Sequence, residues 1–396
     1  MPCSGQADDT AAQPRFAGAE QPARRSFGIS SVQCGDARVP VVGRDIAAAP
    51  FRTLVEFRRQ DRTKLPTLLV VPPLSGHFPV LLRDLVLGLL PDFRVVVLDW
   101  TNVRHVPLSE GPFGFDDNIL TIRDAIRRLG PGISVVALCQ GSVPALAATA
   151  LLAGDAAPAA LTLIAAPIDP LAGPTRVVRL LRERPLYWYR AFALRRVSLR
   201  FEGHGRWVYA AETQLAALQA YFAARVEGDG EIARKARRDD GADPERFPFL
   251  DLYSAIMDID GRHFVENIER VFHRRAIANG TLSCAGTPVD PAAIRDTALL
   301  VLEGEEDDIA APGQGRAALA LCRGLPERRK AAVVVPGCGH FSLFHGDIFR
   351  AEVLPRLRVH CLHPGGGACP LSRCRVPGRG RAVAWTTRRT PRTASR

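Results

Sequence analysis

The 396 residues, 47% apolar and 23% charged, are enough for a large core and read as soluble and globular. No apolar run is long enough to span a bilayer, so no transmembrane helix is expected. The formal charge of +11 resembles a nucleic-acid signal, but eight arginines and no acid lie between Gly365 and Arg396, leaving +3 for the rest; the charge is a tail rather than a basic face, and no nucleic-acid partner is expected.

Residues 1–26 are small and polar without periodicity, and are read as unstructured. Their start carries neither a basic region nor an apolar stretch, so no secretory signal is read and the expected compartment is the cytoplasm. The nine cysteines have no regular spacing and are read as free thiols. Val39 to Phe57 alternates loosely and suggests a pair of strands. Then a rhythm begins. Thr67 to Val71 is a short, wholly apolar run, as expected of a strand buried on both faces. Val80 to Leu90 has helical spacing, Arg94 to Asp99 is a second buried strand, and Phe115 to Leu129 is an amphipathic helix. Asp116 and Asp117 sit near the start of that helix, and Gly130-Pro131 stops it. Ile133 to Leu138 is a third strand, Val143 to Leu152 a helix, and Leu161 to Ala165 a fourth strand. Strands alternating with helices predict a parallel sheet with right-handed crossovers. The rhythm breaks after Pro167. Residues from about 175 to 275 hold aromatics and charges but no buried strand, and are read as a helical cap inserted into the sheet domain. The rhythm returns with a strand at Thr297 to Leu302, a helix near Gly315 to Cys322, a strand at Ala331 to Val335 and a last helix near Phe349 to Val359. The folded unit is expected over 27–362, with 363–396 a basic, unstructured tail.

Ala137-Leu-Cys139-Gln-Gly141 falls where the third strand ends and a helix begins. It resembles the nucleophile elbow G-x-S-x-G, with Ala for the first Gly and Cys for Ser. The helix start behind Cys139 favours a thiolate, and the amide of Gln140 would face an oxyanion. Ser142 lies one turn into the helix and is not expected to attack. The remaining parts of such a site follow in chain order, each just after a strand. The loop Glu303 to Ile309 offers Asp307 as the acid, chosen over Asp308 by its place in the loop. Pro336 to Phe341 offers His340, flanked by small residues, as the base. The loop Pro72 to Phe78 would add a second oxyanion donor, the amide of Leu74 or Ser75, with His77 lining the site or bracing the loop. Cys338, His340 and His345 match no zinc spacing, so neither a metal nor an organic cofactor is expected. The fold expected is therefore α/β, hydrolase-like: a mostly parallel sheet flanked by helices, with a cap. The aromatics of Pro185 to Tyr189, with Phe192, Phe247 and Phe249, could grip an apolar polymer surface or fill the core of the cap.

Six stretches in order carry a family resemblance. They are Pro73 to Phe78, Asp99 to Gly111, Leu138-Cys-Gln140, Leu252 to Asp258, Glu303 to Ile309 and Gly339 to Phe341. Over about 27–359 the chain resembles the intracellular poly(3-hydroxybutyrate) depolymerases, which degrade stored polyhydroxyalkanoate with a Cys, an Asp and a His. The resemblance places those roles on Cys139, Asp307 and His340. It implies a storage polymer or granule surface as partner, with water or coenzyme A taking the acyl group. Gly141 stands where the family often has Pro. The alternatives weighed against this reading are a polyhydroxyalkanoate synthase, which uses the same three residue types, and an inert granule-associated protein. Side-chain length of the polymer and oligomeric state stay open.

Overall fold

The computed structural model describes residues 22–365 apart from 62–63, 155, 227–229 and 244–245. The first three strands, β1 (Ser31–Cys34), β2 (Ala37–Ala49) and β3 (Arg52–Arg59), run antiparallel. Next come β4 (Thr67–Val71), α1 (Arg83–Leu89), β5 (Arg94–Trp100), α2 (Phe115–Leu129), β6 (Ser134–Leu138), α3 (Ser142–Leu151) and β7 (Ala160–Ile164). Between β7 and β13 (Ala298–Gly304) lie β8 (Leu194–Arg196), β9 (Trp207–Tyr209), β10 (Ile259–Asp260) and the small hairpin β11 (Ser283–Cys284) and β12 (Thr287–Pro288), and β14 (Lys330–Val335) is the last strand among the described residues. Nine of these form one sheet in the order β1-β2-β3-β5-β4-β6-β7-β13-β14. From β5 to β14 every pairing is parallel. The side chains of β6, β7 and β13 are buried throughout, which explains why they read as continuous apolar runs rather than alternating ones.

Parallel pairing brings the strand ends to one edge. Val71 lies opposite Ala137, Leu138 opposite Ile164, and Gly304 opposite Val335. The loops that follow β4, β6, β13 and β14 therefore open on the same side, where an open α/β sheet holds its ligands.

Two expectations are corrected. The cap is not purely helical: β8, β9 and β10 form an antiparallel three-stranded sheet beside its helices. Strands of two or three residues are too short to show alternation, so the pattern missed them. Within the stretch read as unstructured, Arg24 is fixed by ion pairs to Asp99 at 2.6 Å and Asp45 at 2.8 Å. Residues 1–21 and 366–396, which hold most of both expected tails, lie outside the described residues. The six cysteines among the described residues are free thiols, and burial pushes Cys284 to about 11 and Cys322 and Cys361 to about 12.

The cap is fastened to the sheet by two of the stretches singled out above. Asp258 is buried and accepts from Arg104 at 2.6 and 3.0 Å and from the amide of Ala211 at 2.8 Å. The side-chain oxygen of Asn102 in turn accepts from the amide of Asp258 at 3.1 Å. Removing one partner of a buried ion pair leaves the other charge desolvated. Asp258→Ala is thus expected to destabilise the fold by about 3 kcal/mol, because Glu212, the other carboxylate on Arg104, is largely exposed and replaces little of the lost contact. Urea unfolding of the variant beside Asp258→Asn, which keeps one acceptor, measures this.

Candidate active site

Cys139 follows β6 directly, with a backbone φ of +49°, the left-handed region that non-glycine residues seldom occupy. A single 3₁₀ turn, Cys139–Gly141, leads into α3. The turn is tight enough that a Cβ on Gly141 would lie 2.8 Å from the carbonyl oxygen of Pro72 and 3.0 Å from that of Val71. Both neighbours are backbone and cannot swing aside, so in this chain any larger residue would have to shift them, and glycine fits the tight approach. The hydroxyl of Ser142 donates to the carbonyl of Ala137 at 3.1 Å and is fully buried, which occupies it within the helix.

Asp307 and His340 meet across the neighbouring strand ends. The Asp307 Oδ2 lies 2.8 Å from His340 Nδ1, and its Oδ1 accepts from the amides of Ile309 at 2.9 Å and Ala310 at 2.8 Å. Those two amides fix the carboxylate, so the acid that reaches the ring is Asp307. Cys139 and the same ring line one cavity. Burial alone would push the His340 pKa down. The Asp307 carboxylate and the Cys139 sulfur outweigh it and hold the ring well above the ordinary imidazole value. The loops are packed backbone to backbone: a Cβ on Gly304 would lie 2.4 Å from the carbonyl oxygen of Cys338.

A cavity of about 310 Å³ opens on Cys139 and His340. Gln140, Ser75 and His77 also line it, as do apolar residues of the sheet domain such as Phe78, Leu82 and Phe344. The cap adds Val177, Tyr209, Gln214, Leu218 and Tyr253. Leu74 is not among the lining residues; its side chain is buried in the main core. The aromatics proposed for gripping a polymer do not line the cavity either. Phe249 is fully buried, Phe247 lies beneath the Arg83 guanidinium, and Tyr187 and Phe192 are exposed.

Further contacts between the cap and the sheet-domain loops position the site. Glu231 of the cap accepts from the amides of Phe341 at 3.2 Å and Ser342 at 2.5 Å, pinning the turn that carries His340. The Gly76 carbonyl accepts from the amide of Met257 at 2.6 Å, while the amide of Phe78 donates to the carbonyl of Ala255 at 2.9 Å. The loop after β4 is zipped in this way to the cap stretch 255–257. Gly76, at φ +108°, sits so close to the Gln214 amide that a Cβ would meet Oε1 at 1.7 Å. Glycine at this position lets the cap helix rest on the loop.

A family model described as the C-terminus of PHB depolymerase matches residues 165–363, half of the chain. The protein belongs to the PHB depolymerase family. The matched segment begins just after β7 and takes in the cap, Asp307 and His340. As a member of this family the protein is an ester hydrolase with the α/β-hydrolase architecture. A comparison with curated proteins finds no match. Among solved structures, the chain is similar to an epoxide hydrolase from Bacillus megaterium (11% identity, 84% of this chain and 99% of that one, TM-score 0.49). It is also similar to a putative lipase from Acinetobacter baumannii AYE (12% identity, 80% and 91%, TM-score 0.45). An α/β hydrolase fold protein from Nakamurella multipartita is similar too (18% identity, 82% and 100%, TM-score 0.45).

Proposed function

We propose that this depolymerase cleaves the ester bonds of poly(3-hydroxybutyrate) through a covalent intermediate on Cys139, with His340 as the acid–base group and Asp307 as its orienting partner. The observation that carries the reading is the Asp307–His340 hydrogen bond beside Cys139 at the wall of an apolar cavity. Asp307 holds His340 with Nδ1 bound and the other nitrogen directed to the sulfur. A raised His340 pKa suits the ring to take the thiol proton as the sulfur attacks.

The thiolate adds to the ester carbonyl, forming the C–S bond. The oxyanion is met by the amide of Gln140 and an amide of the loop at 74–75. On collapse the C–O bond breaks, and His340 gives its proton to the departing alkoxide. Water then enters, His340 takes its proton, and attack on the thioester releases a 3-hydroxyacid and restores the thiol. Coenzyme A in place of water would yield the acyl thioester of that carrier. The lining of the cavity suits a polyester segment, which presents methyl and methylene groups and only hydrogen-bond acceptors. No helix among the described residues is long and apolar enough to cross a membrane. The proposed site of action is the surface of stored polymer granules in the cytoplasm.

Purified protein incubated with amorphous poly(3-hydroxybutyrate) granules is expected to release 3-hydroxybutyrate or its short oligomers. Repeating the assay with coenzyme A identifies the acceptor: free acid in both cases assigns water. Chain growth from hydroxybutyryl-coenzyme A, with no release from granules, would reverse the reading in favour of a synthase.

A further inference from the structure

His77 lines the cavity beside Cys139 and His340, with its ring packed against Tyr253 at 5.4 Å and Phe341 at 6.4 Å between centroids. Its Nε2 is sealed from solvent and has no hydrogen-bond partner. The ring does bond to the backbone of Tyr253. With Nε2 unpartnered, Nδ1–H is the group that donates to that carbonyl. Burial, opposed only weakly by this bond and reinforced by the charge on His340, pushes the ring down to about 4, so it is neutral in the working range. A neutral imidazole whose proton sits on Nδ1 presents a bare lone pair at Nε2. His77 is therefore an acceptor in a cavity lined chiefly by apolar side chains, and it cannot serve as an oxyanion donor.

A buried acceptor left unpaired costs free energy, and its placement in a substrate cavity calls for a donor on the substrate. A polyester interior has none: every ester unit carries only a carbonyl and an ether-type oxygen. The carboxyl end is ionised near neutral pH and is acceptor-only as well. The single donor on a poly(3-hydroxyalkanoate) chain is the hydroxyl at its other terminus. We propose that His77 recognises this terminal hydroxyl through Nε2, so that the enzyme works from the hydroxyl end of the chain and favours short hydroxyl-terminated acyl groups. The proposal rests on the depolymerase reading and adds to it the end from which the chain is consumed. The fastening of residues 76–78 to 255–257 gives His77 a fixed position from which to make this choice.

The test compares a linear 3-hydroxybutyrate trimer with the same trimer acetylated on its terminal hydroxyl, by kcat/KM. Wild type is expected to favour the free hydroxyl by roughly 10- to 100-fold, the range a buried polar group gains when its partner is present. His77→Phe, which keeps a ring but no acceptor, is expected to bring the ratio near one. His77→Gln, which keeps an acceptor oxygen, is expected to restore part of it. A bracing role alone would lower both rates and leave the ratio unchanged. Equal rates for the two trimers with wild type overturn the proposal and leave the depolymerase reading standing, and that comparison needs no variant to fold. Wild type that cleaves neither trimer nor polymer removes both together.

Discussion

Cys139→Ala is expected to lower ester hydrolysis by roughly 10⁴- to 10⁶-fold, the loss seen when a nucleophile that works as one unit with its base is removed. The fold should be indifferent to the change. Alanine and cysteine have the same Cβ, so the strained φ of +49° is no harder for one than for the other. Midpoints of thermal unfolding for the two proteins should therefore lie close together, and the variant should still bind polymer. Alkylation offers a second measurement. Cys284, Cys322 and Cys361 are buried with raised pKa values, and burial pushes Cys338 up as well. Loss of activity with iodoacetamide at neutral pH should keep step with modification of Cys139, and a bound product should slow both. Activity that survives complete modification of Cys139 would take this residue out of the mechanism.

Asp307→Asn is expected to cost about 10³- to 10⁴-fold in turnover with little change in stability. The two amides of Ile309 and Ala310 would hold the side-chain oxygen of asparagine where Oδ1 now lies. Its amide nitrogen would then face His340 Nδ1 as a donor. The ring would be driven to the tautomer that carries its proton on Nε2, toward the sulfur, and could no longer accept the thiol proton. The pH dependence follows with a definite sign. The carboxylate is the leading influence that raises His340, so its loss lowers the histidine pKa. The pH range over which the His340 ring is charged would then end lower, and the alkaline limit of the acylation step should move down. NMR titration of the His340 ring in wild type and variant, with the pH profile of kcat/KM, measures both effects. A His340 pKa that stays the same in the variant would contradict the geometry.

The parts of the site carried by buried strands were legible from the sequence. Runs such as Val135 to Leu138 and Leu299 to Leu302 are apolar on both faces, and a polar or reactive residue just past such a run stands at the open edge of a parallel sheet. Cys139, Asp307 and His340 were singled out by that route, and the structure places them at neighbouring strand ends. The cap was less legible because its local order comes from tertiary contact rather than period. The three-residue strand Trp207–Tyr209 has no readable alternation, and the Arg104–Asp258 pair joins residues 154 apart. The aromatic stretches drew attention by composition alone. Phe249 proved to be packed core, while Tyr209, which lines the cavity, lies where nothing in the sequence marks a wall, and Tyr253, which also lines it, lies in a stretch singled out by resemblance alone. Glu231 illustrates the same limit. An acid near the start of a short helix suits the helix dipole and reads as ordinary, yet its oxygens hold the amides beside His340. In the loop at 74–75, Ser75 lines the cavity and the Leu74 side chain serves the core.

The most direct measurement is to mix the enzyme with the 3-hydroxybutyrate trimer, quench in acid during turnover and locate the acyl group by peptide mass spectrometry. A hydroxyacyl thioester on Cys139, cleared by hydroxylamine and absent from Cys139→Ala, is the predicted result. An acyl group on Ser142 or another residue, or steady turnover with none on Cys139, would contradict the account.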